Sequence, residues 1–147
     1  MSLVWVHEDA MRLDHPVLIA AGPAAQPVFI WDTREHDRRN YSLKRRVFIY
    51  EAAIDLNIPI YAGDAYEMLL ALSSEDKIYA AASADPHIRD VLSDLGDNRM
   101  VEMITAPKLA QVPANTDTGR FFRFWNRARK SALTHSKDAL MQDSLVP

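Results

Sequence analysis

LVWVHEDAMRLDHPVL, residues 3–18, sets a strand, a polar turn and the start of a helix in one short stretch. Leu3, Val4, Trp5 and Val6 form an apolar run too brief for a helix and suited to a strand buried on both faces. His7, Glu8 and Asp9 follow where that strand ends. In open α/β sheets ligands lie in the crevice beyond the carboxyl ends of the strands, so this turn is the first candidate site. Asp14 is placed to cap a helix whose first turn holds Pro16, and Gly22-Pro23 ends it.

The same pattern recurs outward from this stretch. Pro27 to Trp31 is a second apolar run, closed by Asp32, which completes a βαβ unit. Thr33 to Asn40 is polar and without periodicity, and reads as a surface loop. Ser42 then caps a helix over roughly Leu43 to Leu56, and Ile58 to Tyr61 is a third strand, expected at a sheet edge because Pro59 cannot donate to a ladder. Gly63 turns the chain, Asp64 and Glu67 have capping-box spacing, and Lys77 to Ala82 is a fourth strand. Asp85-Pro86 opens a helix that Gly96 is placed to close, and Val101 to Ile104 is a fifth strand. Strands alternating with helices predict an α/β, Rossmann-like three-layer fold with a five-stranded parallel sheet in the order 3-2-1-4-5. Strands 1 and 4 then flank the switch point, and any ligand is expected near His7, Glu8, Asp32, Ala84 and Asp85.

Composition sets the outer bounds. The 147 residues are 48% hydrophobic and 25% charged, the ordinary mix for one globular domain with its own core. A net charge of -3 argues against binding nucleic acid through bulk charge. Cysteine is absent, which removes thiolate metal sites and thiol nucleophiles and suits a cytoplasmic location. No apolar stretch approaches the roughly 18 residues of a membrane span.

After Thr105 to Thr118, an extended connection, comes GRFFRFWNRARKSAL, residues 119–133. Six basic residues and no acidic one lie between Arg120 and Lys137, interleaved with Phe121, Phe122, Phe124 and Trp125. Those four aromatics spread around much of a helical turn, so some of them are expected to contact another surface. The last residues, 135–147, read as a tail after a domain of 1–134.

Three segments carry a family resemblance. VWVHEDAMRLDHPVLIAA resembles the first strand and turn of the DNA photolyase and cryptochrome family, with Trp5, Asp9, Arg12 and Asp14 matching its pattern. His7 stands at that family's arginine and His15 at its asparagine. SLKRRVFIYEAAIDLNIPIYAGD is similar to the next helix and strand, and GRFFRFWNRARKSAL to the basic aromatic stretch that ends the N-terminal α/β domain. The resemblance extends to about Leu133 and implies the antenna-binding domain. It implies an antenna-type pigment (a folate, a deazaflavin or a flavin nucleotide) as the ligand class, with the catalytic FAD held by a helical domain not expected on this chain. The implied function is a domain that binds a small planar or nucleotide-like ligand or a partner and has no DNA repair activity alone. The alternative is an accessory subunit docking on a separate flavin-binding protein. A nucleotide-activating enzyme on this fold would need phosphate motifs, and the four glycines lie far apart.

The candidate ligand-binding residues are accordingly His7, Glu8, Asp9, Trp31, Asp32, Arg45, Ala84 and Asp85. No catalytic residue stands out: no serine has a glycine-flanked elbow. His7, Glu8, Asp9, Asp14 and His15 offer metal-ligand chemistry, but on a turn and a helix start carboxylates serve as caps and dipole partners, and no metal is expected. Phe121, Phe122, Phe124 and Trp125 are the candidate interface, either with a second chain, most simply a two-fold homodimer, or covered by the tail from Ser136 to Pro147. Nucleic acid is the weaker expectation there, because buried aromatics better match a protein contact than a chain of acidic net charge matches a polyanion.

Overall fold

The computed structural model describes residues 2–73, 77–106, 110, 112–113, 115–116 and 119–142, the side chains of 130 and 133–142 excepted. Strand β1 (Leu3–Trp5) is buried along its whole length, as an apolar run without alternation requires. It pairs in parallel with β2 (Gln26–Trp31) on one side, Leu3 against Gln26, and with β4 (Ile78–Ala81) on the other, Leu3 against Ile78. β3 (Ile60–Ala62) adds to β2 and β5 (Val101–Ile104) to β4, giving an all-parallel sheet in the order β3-β2-β1-β4-β5. This is the expected topology, with the proline-bearing strand at the edge. Pro59 itself precedes β3, where its carbonyl accepts from the Phe29 N–H and its missing donor costs nothing.

Helices cover both faces. α4 (Ala65–Leu72) and α5 (Pro86–Gly96) bury Ala65, Leu69, Ile88, Val91, Leu92 and Leu95 against Leu3, Trp5, Val28, Ile30, Ile78 and Ala80. On the other face α1 (Pro16–Ala21) places Val17 against Val4 and Val6, and α3 (Leu43–Asp55) places Ile49 and Ala53 against Phe29. Each fully buried side chain of this size contributes about 1.5–3 kcal/mol, so these two layers hold the sheet together.

The structure corrects four details. Thr33–Arg38 is a short helix, α2, where a loop was expected. The Asp32 carboxylate accepts from the Glu35 N–H at 3.0 Å to start it, and Asn40, at φ 53, ends it in the left-handed region that asparagine tolerates. α1 is capped by His15 rather than Asp14: Pro16 already occupies the first turn, so the residue just before it receives the Val17 N–H, on Nδ1 at 3.2 Å. Asp14 is exposed and pairs with Arg12 at 3.3 Å. Gly96 lies within α5, which closes at Asp97 in right-handed geometry, so no left-handed cap is needed. β3 begins two residues later than Ile58, whose side chain packs beneath the sheet. Gly22, at φ 77, does end α1 as its position predicts.

The α/β unit is Met1–Ala106, and a second unit, Pro107–Pro147, contains α6 (Phe121–Gln142). α6 continues through Thr134, where the sequence reading ends the domain. Most of the tail expected from residue 135 is therefore helix, and residues 143–147 lie outside the described residues.

Candidate functional site

The carboxyl ends of β1 and β4, where ligand crevices form in such sheets, are tied together by His7. Its Nδ1 accepts from the Asp9 N–H at 3.3 Å, which leaves Nε2 to carry the proton and donate to the Ala81 carbonyl at 2.9 Å. Burial holds the His7 pKa below its ordinary 6.5, against the opposing pull of the Ala81 carbonyl and of Asp9, Asp85 and Glu8. The imidazole is thus a neutral brace across the switch point. Asp9 is bound by the Ser83 hydroxyl, whose oxygen in turn accepts from the Asp85 N–H at 2.9 Å.

Asp32, at the end of β2, is buried, and each of its oxygens accepts a hydrogen bond. One oxygen caps α2 and the other accepts from the Ala65 N–H at 3.1 Å, at the start of α4. Asp85 starts α5 by accepting from the His87 N–H at 2.9 Å, and both its oxygens receive Arg39, each at 2.5 Å. Arg39 follows the last turn of α2 and also donates to Glu35, which Arg38 grips twice at 2.6 Å. Burial pushes the Glu35 carboxyl up, but the Arg38 and Arg39 hydrogen bonds outweigh it and hold the pKa at about 2. The Arg39 fork brings Asp85 to about 2 as well, against its partial burial. His87 Nδ1 lies 3.7 Å from Glu35, and His36 Nε2 3.4 Å from Glu8.

A column of rings stands beside this network. Arg45 lies 4.1 Å over the Tyr41 ring, His36 stacks on Tyr41 with centroids 5.4 Å apart, and Trp31 meets His36 edge-on at 4.6 Å. Arg45 also reaches Glu8 at 3.3 Å. The column uses the chain's own π faces in the way a bound planar ring would. What remains of the crevice is a cavity of about 50 Å³ walled by Trp5, His7, Glu8, His36, Arg39 and Asp85. That holds a few waters, far below the ~300–1,000 Å³ of small-molecule pockets.

Of the residues expected at the site, His7, Glu8, Asp32 and Asp85 line this cavity. Asp9 is two hydrogen bonds away through Ser83, while Arg45 and Trp31 belong to the ring column. Ala84 is exposed and does not line it. Sequence reasoning missed Glu35, His36, Arg39 and His87. The first three sit on or just after α2, the segment read as a loop. The spacing Asp32-Thr-Arg-Glu35 is a helix-start signature that could have revealed them. His36 Nδ1 is buried with no hydrogen-bond partner among the described residues. No group of three or more metal-ligating side chains occurs among the described residues.

In the second unit Phe121 and Phe122 are exposed, Trp125 is 39% exposed and Phe124 half-buried. The Phe121 and Trp125 rings are parallel to within 6°, with centroids 6.3 Å apart. The helix also lines a polar hollow formed by Asn115, Arg123, Asn126 and Arg127. Whether the chain from Ser136 covers these aromatics lies outside the described residues, since its side chains do. No helix among the described residues is long and apolar enough to cross a membrane.

No family model and no curated protein matches the chain.

Proposed function

We propose that the chain is a non-catalytic α/β module of photolyase and cryptochrome type that docks on a separate flavin-binding protein, and that it neither carries an antenna pigment nor repairs DNA alone. The observation that carries this reading is the filled crevice. A pigment needs an open, partly apolar cleft, whereas here Arg39, Asp85 and Glu35 close the switch point and Arg45, Tyr41 and His36 pack on one another beside it. The parallel sheet in the order 3-2-1-4-5 and the placement of Trp5, Asp9 and Arg12 on its first strand and turn support the family assignment. The exposed Phe121, Phe122 and Trp125 support docking, since large apolar groups left open among arginines mark contact surfaces.

The test mixes the protein with a flavin-binding helical domain of that family made as its own chain, and measures mass by light scattering. A stoichiometric complex weakened by Phe122→Asp is the expected result. Two separate species at every concentration would overturn the reading.

A further inference from the structure

Helix α3 is apolar on two sides. Ile49 and Ala53 face the sheet, yet Leu43, Val47, Tyr50 and Ile54 stay between 44% and 77% exposed. Their spacing of four, three and four residues is the a/d seam of a paired helix. Tyr50 meets Trp31 edge-on with centroids 5.5 Å apart, but packing on the sheet does not call for the rest of a second apolar seam.

The charges on α3 oppose its own dipole. Lys44, Arg45 and Arg46 stand in the first turn, at the positive end, and Asp55 in the last, at the negative end. Arg45 and Arg46 find partners in Glu8 and Asp37. Lys44, Glu51 and Asp55 are exposed and make no ion pair among the described residues. A second α3 laid antiparallel removes the conflict, because each basic first turn then meets an acidic last turn.

We propose that this face binds a second copy of the chain, α3 against α3, across a two-fold axis passing between Phe48 and Ile49. The seam residues are self-complementary about that point. Leu43 meets the partner's Ile54, Val47 meets the partner's Tyr50, and Lys44 flanks the seam opposite the partner's Glu51, each contact made twice as an isologous interface requires. The helix is only about 20 Å long, so the dimer is a weak one that forms as concentration rises. This inference does not depend on the docking function above.

Sedimentation over a concentration series tests it on the full chain. The wild type should shift from monomer to dimer, and Val47→Glu should raise the dissociation constant by at least about tenfold, since like charges at a seam cost several kcal/mol. Lys44→Glu and Glu51→Lys should each weaken the dimer and the double exchange should restore it. Lys44 and Glu51 are too far apart on one helix to produce that rescue themselves. The absence of native cysteine allows a geometric check. Oxidised Val47→Cys should cross-link to itself, its two copies being near the axis. Leu43→Cys should not, its copies lying about 16 Å apart along the helix, but it should cross-link to Ile54→Cys chains. A monomer at all concentrations, a dimer indifferent to Val47→Glu, or self-linking of Leu43→Cys would each overturn the proposal.

Discussion

Arg39 decides the state of the crevice. Its guanidinium is the only cation gripping both oxygens of Asp85 among the described residues, and it shares Glu35 with Arg38. Arg39→Met should therefore cost about 2–3 kcal/mol in denaturant unfolding, because it strands a carboxylate that is only 20% exposed. Arg38→Met should leave stability nearly unchanged, since Arg38 is 66% exposed and Glu35 keeps Arg39. Equal losses in the two variants would contradict the assigned roles. The titratable groups fix the pH dependence. Burial lowers the pKa of His7 and His15 below 6.5, so the unfolded chain binds protons there that the native chain refuses. Stability should fall as pH drops from 6.5. Asp85 and Glu35, ordinarily near 3.8 and 4.5 but both about 2 when folded, add a second loss from about pH 4.5 toward pH 2. In urea titrations at a series of pH values, a His7→Gln, His15→Gln variant should flatten the first decline and leave the second. His7 is thus a neutral brace between β1 and β4, a role visible only once Ala81 is placed beside it.

One carboxylate, that of Asp32, starts α2. Asp32→Ala removes the cap on the Glu35 N–H and the acceptor for the Ala65 N–H, and should cost about 1–3 kcal/mol. Hydrogen exchange should quicken first in α2 and at the start of α4, with α5 protected longer by its buried Ile88, Val91, Leu92 and Leu95. Uniform exchange across all three helices would show that Asp32 has no local role. The same helix marks what was legible in the sequence. The strands were, because strands buried on both faces appear as unbroken apolar runs such as Val28-Phe29-Ile30, and so were caps such as Ser42 and Asp85. α2 was not, because its six residues Thr-Arg-Glu-His-Asp-Arg carry no apolar period; side-chain pairs from Glu35 and the Asp32 cap hold it instead. Losing α2 meant losing half the site, since Glu35, His36 and Arg39 came with it.

At the scale of the molecule, a Rossmann-like sheet presents its customary crevice and fills it. The carboxylates expected to receive a ligand start helices and bind arginine, and Trp31, His36, Tyr41 and Arg45 pack on one another beside them. Apolar surface left open lies elsewhere, on α3 and at the start of α6, where other chains can reach it. The proposed docking role requires that this domain hold no pigment, and the absorption spectrum of the purified protein from the near-ultraviolet to the blue reads that out. The bands of its tryptophans and tyrosines alone are expected, unchanged after incubation with a folate or a flavin nucleotide and desalting. A stoichiometric band in the blue or near-ultraviolet that survives desalting would contradict it.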